Sequence, residues 1–291
     1  MSLGQPRPAI RPSLGLAVSV ASVSTAAILI RLASADALAV AALRLSFATL
    51  VLVPVVGLRR LDDLATLSWK EGAMLLGIGM CLAAHFALWI TSLYYTTVAA
   101  SVLMVSTSPV FTAAFGAAFL HDRIAPMAGA GIALGMVGVV SIALPQGGLS
   151  GDLQGMLMAL LGAIAVAGYL IGGSLLRQRI SLVSYVFCVY SIAAVLLVGL
   201  AAFAGAQLVG LPAKDYAILL ALGIVPSHLG HSLYNYLLRF LDAKVIAVST
   251  LGEPIISSVL AFVVLRESPH PVMFVGAPVV LLGIYLTARA A

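Results

Sequence analysis

The sequence predicts an all-α integral membrane fold: ten transmembrane helices, arranged as two inverted-topology five-helix repeats around a central cavity. Composition, the spacing of apolar runs and an internal repeat each point to it. The chain is 62% hydrophobic and 9% charged, against roughly 45–50% and about 25% for soluble domains. Its mean hydropathy is +1.16, so water cannot be its main solvent. Ten apolar segments follow one another, at roughly 13–33, 37–57, 70–94, 97–120, 126–144, 152–175, 182–204, 215–237, 243–265 and 271–288. Each approaches the ~20 residues that cross a hydrocarbon core of ~30 Å. Backbone groups in lipid must find partners inside their own segment, which makes these segments helices.

The repeat is read from Val98 to Leu120 (VAASVLMVSTSPVFTAAFGAAFL), which aligns with Ala243 to Leu265 (AKVIAVSTLGEPIISSVLAFVVL) at a displacement of 145, the distance from Pro109 to Pro254. Without a gap, Asp122 then meets Glu267, Pro126 meets Pro271, Gly131 meets Gly276 and Gly138 meets Gly283. Upstream the same register pairs Ser46 with Ser191, Leu75 with Leu220 and Leu93 with Leu238. The organisation is therefore a tail over 1–12, one repeat over 13–145 and a second over 146–291, forming one membrane domain. Five spans is an odd number, so the copies insert with opposite orientations, a pattern that marks transporters.

Taken in order, the first twelve residues carry three prolines and two arginines and read as a short tail. The run from Ser13 to Ile30 exceeds the 7–15 residues of a signal-peptide core, and Arg31 interrupts the approach to Ala33-Ser34-Ala35, so it reads as a first span rather than a leader. The second span carries Arg44, the third His85 and Trp89, the fourth Met104, Ser108 and Pro109. Gly131/Gly135 in the fifth and Gly168/Gly172 in the sixth are small-xxx-small pairs that let helices approach. The eighth carries His228, His231, Ser232, Tyr234 and Asn235, and the ninth Glu253 and Pro254. Cys81 and Cys188 lie in apolar runs without a ligand or disulfide spacing, so no metal or cofactor is expected.

Lys and Arg set the orientation. With the N-terminus cytoplasmic, that side holds Arg7, Arg11, Arg59, Arg60, Lys70, Arg123, Arg177, Arg179, Arg239, Lys244 and Arg289, and the outer side only Arg31, Lys214 and Arg266. Both termini are then cytoplasmic. The formal charge of +5 belongs to this bias, and no nucleic-acid partner is expected.

The 5+5 arrangement, a proline in the fourth helix of each half, an acidic residue closing that helix in each copy (LHDR at 120–123, LRES at 265–268), GEP at 252–254 and Arg44 in AALRLSFATL together resemble the drug/metabolite transporter superfamily in its EamA-type branch. The resemblance covers nearly the whole chain and identifies a branch rather than a substrate. It implies a bacterial inner-membrane exporter of amino acids or related metabolites, with the aromatic amino-acid exporters of the branch nearest. The first copy has His121-Asp122-Arg123 where Gly-Glu-Arg is more common.

A carrier needs groups near mid-membrane that replace a solute's water, and ionisable residues there face the bundle interior. Pro109 and Pro254 remove a helical N–H and kink their helices at matching places. Glu253 is the carboxylate well inside a span, and its symmetry mate is Ser108. His85 and Trp89 are four apart and share a face; Tyr234 is the counterpart of Trp89. His228, Ser232 and Asn235 fall on one stripe of the eighth helix, His231 and Tyr234 on its neighbour. The expected cavity set is thus His85, Trp89, Met104, Ser108, His228, His231, Tyr234, Asn235 and Glu253. Arg44 reads as a gate or interhelical clamp rather than a site for a substrate carboxylate.

The leading function is a secondary transporter exporting small amino acids, aromatic ones favoured, by alternating access, with proton coupling left open. Ten helices around one cavity suffice as a monomer in the bilayer. A passive channel is the first alternative. An intramembrane enzyme is the second: the chain lacks H-E-x-x-H, G-x-S-x-G and G-x-x-x-x-G-K-[ST], but Ser106 or Ser108 near His85 leaves a Ser–His pair open.

Overall fold

The computed structural model describes residues 8–58, 61–147, 149, 151–265 and 270–290. Arg7, Arg59, Arg60, Arg266 and Glu267 lie outside them. Ten helical spans follow in order: α1 (Pro12–Leu32), α2 (Ala37–Leu58), α3 (Trp69–Tyr95), α4 (Val98–Phe119), α5 (Pro126–Ala143), α6 (Leu153–Leu176), α7 (Leu182–Phe203), α8 (Ala213–Leu237), α9 (Ala243–Ser249 continuing as Glu253–Leu265) and α10 (Met273–Arg289). Nine are long and apolar enough to cross a membrane, and α10 is a shorter apolar helix of 17 residues. Large apolar side chains such as Leu50, Val195, Phe203, Phe274 and Leu281 point away from the bundle, the apolar outer surface that lipid requires. With ten spans, Pro12 of α1 and Arg289 of α10 lie on one face, the terminal face; the other is the far face.

The inversion can be read from one seam. At Gly131 of α5 an added Cβ would lie 2.7 Å from the carbonyl oxygen of Gly283, and at Gly138 one would lie 3.0 Å from that of Gly276. As the number rises along α5 it falls along α10, so the two helices run antiparallel. The repeat register sends Gly131 to Gly276 and Gly138 to Gly283, so it exchanges these two contacts. A two-fold axis that swaps antiparallel helices lies perpendicular to them, in the membrane plane. Other pairings obey the same exchange: α2 packs on α7, α3 on α6 as α8 on α1, and α3 on α7 as α8 on α2. Gly168 and Gly172 of α6 similarly bring α3 close, where added Cβ atoms would meet Cys81 at 3.1 Å and Ile78 at 2.6 Å.

Paired ties close both faces. On the terminal face the Asp63 carboxylate accepts hydrogen bonds from the Ser181 N–H at 2.6 Å and the Ser184 hydroxyl at 2.5 Å, capping α7. On the far face the Asp36 carboxylate accepts from the Gln207 N–H at 3.4 Å; Asp36 is the repeat counterpart of Ser181. Likewise Arg179, which pairs with Glu71 at 3.4 Å, is the repeat counterpart of Ser34, whose N–H and Oγ donate to Asp215 at 3.1 and 2.6 Å. Burial alone would raise the Asp63 pKa, but the Ser184 and Ser181 hydrogen bonds outweigh it and hold it below the usual carboxylate value. A lowered folded-state pKa adds stability that is complete above the ordinary value near ~4 and disappears as pH falls through the lowered one. Asp63→Ala should therefore cost about 1 kcal/mol at neutral pH, with a difference from wild type that shrinks in acid. Thermal unfolding in detergent across pH reads both.

Irregular segments depart from ten plain helices. Helix α1 is interrupted at Ser24–Thr25, whose hydroxyls donate back to the carbonyls of Val20 and Ser22 at 2.6 and 2.7 Å. In α8, Gly223–Ser232 winds as a π-helix around Pro226. Proline has no N–H for the Leu222 carbonyl, and the Ser227 hydroxyl donates to it instead at 2.9 Å. The chain leaves α4 through His121 at φ 56°, a left-handed conformation that costs an L-residue about 1 kcal/mol over glycine. His121→Gly should raise stability by about that amount, seen as a higher unfolding temperature.

Candidate functional site

Each proline opens the second part of a broken helix. Helix α4 turns at Ser106–Thr107 ahead of Pro109, and α9 passes through a 3-10 turn at Thr250–Gly252 ahead of Pro254. The expected kinks are present in both halves. Between them lies a small cavity of about 60 Å³. Three pairs in its wall are repeat counterparts: Trp89 with Tyr234, Val105 with Thr250, and Ser108 with Glu253. The cavity therefore sits on the two-fold axis. Arg44, His85, Ser106 and His231 complete its polar lining, beside Val23, Ala26, Val166, Leu170 and Ile246.

Two larger hollows flank it. A far-face vestibule of about 360 Å³ is lined by Thr97, Val98, Ala99, Ser257 and Ser258. A terminal-face vestibule of about 340 Å³ is lined by Asp242, Ala243, Lys244, Thr112 and Ala113. The repeat register maps these residues of the first hollow onto those of the second, while the rest of the two linings differ. Each hollow starts within about one helical turn of the central wall: Ala26 and Val105 face the centre while Ala27 and Val102 face the far vestibule. The molecule thus has a small centre with a larger hollow toward each face.

The polar wall is held from outside. The His85 Nδ1–H donates to the Gly162 carbonyl at 2.9 Å, since a carbonyl can only accept, and the imidazole stacks on Trp89 with centroids 5.9 Å and planes 3° apart. His231 meets Phe86 edge-on at 5.2 Å, and His85, Tyr169 and Tyr234 each at 6.3 Å. Arg44 is fully buried. Its Nε–H donates to Ser227 Oγ at 3.0 Å, and its guanidinium lies 4.2 Å from the Phe86 ring centre. The ion pairs among the described residues are Arg179–Glu71 and Lys244–Asp242, so Arg44 and Glu253 share the cavity without forming one.

Of the expected cavity set, the structure brings together His85, Trp89, Ser108, His231, Tyr234 and Glu253, with Arg44. It does not bring in the other three. His228 donates through Nε2–H to the Ala48 carbonyl at 2.8 Å and reaches Ser232 at 3.2 Å, joining α8 to α2. The Asn235 side-chain amide donates to the Tyr169 hydroxyl at 2.6 Å, and the Asn235 backbone carbonyl accepts from Arg177 Nε at 3.0 Å. Met104 packs with the apolar cluster of Leu103, Ile132 and Val139. The stripe reading assumed the i→i−4 winding of an α-helix, whereas the π segment winds i→i−5 and rotates the faces of α8. Phe86, Ser227 and Tyr190 around Arg44 were not singled out from sequence. Phe86 beside His85 offered no polar signal, and Ser227 reaches Arg44 only through the π-helix. No hydrogen bond among the described residues joins His85 to Ser106 or Ser108.

Two inverted halves, broken helices at matching prolines and a cavity on their axis are the architecture of a secondary carrier. The sequence pattern of the EamA-like transporter family is met twice, over residues 12–144 and 153–289. The chain belongs to the EamA-like transporter family. Its sequence is 26% identical over 207 residues to an uncharacterized transporter of Archaeoglobus fulgidus, covering 69% of this chain and 71% of that protein. A second uncharacterized transporter of the same archaeon is 26% identical over 259 residues, 87% of this chain and 88% of its own length. A crystal structure described only as that of a protein superposes with a TM-score of 0.76 at 19% identity, covering 96% of this chain and 97% of the other. That likeness speaks for the fold alone. This EamA-like transporter is a multi-pass integral membrane protein, and its family is one of transporters rather than enzymes.

Proposed function

We propose that the protein is a secondary carrier that exports small amino acids or related metabolites across a bacterial cytoplasmic membrane by alternating access. The supporting observation is one cavity on the repeat axis, holding a guanidinium and a carboxyl that are not paired with each other, between two larger hollows on opposite faces. A zwitterion answers both charges at once. The two bundles rock about the breaks in α4 and α9, opening one vestibule to the centre as the other closes. The rings of His85, Trp89, Phe86 and His231 favour planar or aromatic side chains, which a volume of about 60 Å³ admits only once a vestibule has opened. Lys70, Arg123, Arg179, Arg239, Lys244 and Arg289 on the terminal face argue that it is cytoplasmic.

Counterflow in proteoliposomes across a panel of amino acids, with and without a pH gradient, tests the reading. Saturable exchange is the expected result, and its dependence on the gradient reports proton coupling. Flux that rises linearly with concentration indicates the channel alternative, and no flux for any amino acid sinks the substrate assignment.

A further inference from the structure

The central cavity contains more hydrogen-bond donors than the chain satisfies. Arg44 uses only Nε–H, on Ser227 Oγ at 3.0 Å, and the Ser227 hydroxyl passes the bond to the Leu222 carbonyl at 2.9 Å. This relay and the Phe86 ring fix the guanidinium, while Nη1 and Nη2 have no partner. The indole Nε1 of Trp89 is buried and unpartnered as well. Buried donors rarely stay unsatisfied in a native site without a ligand or water to accept from them. A rigid planar fork beside a single N–H has the geometry that accommodates a planar oxyanion, and an ammonium has no acceptor to offer it.

The Tyr234 hydroxyl of the second repeat is buried and unpartnered in the same wall, so donors come from both repeats, but the charges have a side. Arg44 and Trp89 belong to the first repeat; their counterparts in the second are Val189 and Tyr234, and the counterpart of Glu253 is the uncharged Ser108. Each repeat thus contributes one sign of charge. We propose that the Arg44 fork and the Trp89 indole N–H form an anion subsite for the carboxylate of the carried solute, with Glu253 of the opposite repeat at its ammonium end. This rests on the zwitterion reading above and adds its orientation: the solute bridges the two halves, carboxylate toward the first.

The subsite can be tested without transport. The chain has two tryptophans, and Trp69 is exposed at the terminal face, so Trp69→Phe leaves Trp89 as the sole indole reporter. Acetate titrated into the purified variant should give a saturable change in Trp89 emission, and acetamide, of the same shape but uncharged, should give none. Arg44→Gln in that background should weaken the acetate response at least about tenfold, and Arg44→Lys, which keeps charge and loses the fork, should fall between. Equal responses to acetate and acetamide, no response to either, or an unaltered response in a folded Arg44→Gln overturn the proposal. The acetate–acetamide comparison needs no Arg44 variant, so it decides even if that variant fails to fold. Acetate binding without amino-acid counterflow retains the subsite and removes the amino-acid assignment; counterflow without acetate binding does the reverse.

Discussion

Glu253→Gln is expected to lower the efficiency of saturable amino-acid flux by about 4- to 12-fold, with the protein still folded. Gln fills the same volume but cannot carry charge, and a hydrogen bond between charged groups contributes about 1.5–3 kcal/mol where a neutral one contributes about half. The side chain opens α9 beyond its 3-10 turn, in the cavity wall and without an ion-pair partner, so no packing interaction compensates. His85→Ala in the same assay should cost about five- to tenfold, because it removes the bond to Gly162 and the ring stacked on Trp89. Initial rates over a range of internal substrate concentration, normalised to reconstituted protein, measure both. Unchanged flux in the two variants would remove this cavity from the transport path.

Gly283→Ala is expected to have the largest effect on folding. The added Cβ would lie 2.5 Å from the Gly135 nitrogen, 2.6 Å from the Gly131 carbonyl oxygen and 2.7 Å from the Gly135 Cα. All three are backbone atoms, which cannot rotate aside as a side chain can, so α5 and α10 must separate along their seam. Overpacking of a tight interior costs about 1–3 kcal/mol, and a clash with backbone belongs at or above the top of that range. Lower yield of monodisperse protein and a lower unfolding temperature are the readouts. Gly57→Ala, where nothing lies within reach of the new Cβ, should be close to neutral. If Gly283→Ala behaved like Gly57→Ala, the seam would not be as close as described, and the case for the two-fold axis would weaken with it.

Composition and repetition were enough to determine the spans, their number and the inversion, because lipid forces each crossing to complete its own hydrogen bonds. The displacement of 145 also located both helix breaks, since a proline acts on its own turn. The contribution of Glu253, Ser108, Trp89 and Tyr234 to one cavity was legible for a related reason: symmetry mates on inward faces meet at the axis. Only the tertiary structure decided the rest. His228 and Asn235 left the cavity because a π segment changes how many residues make a turn, and nothing in His-Leu-Gly-His-Ser announces that winding. Arg44, read as a clamp or gate, spends its Nε on an interhelical bond to Ser227 and leaves its fork unpartnered at the cavity. That division depends on a serine 183 residues away, and contacts between distant segments have no signature in the order of the residues that make them.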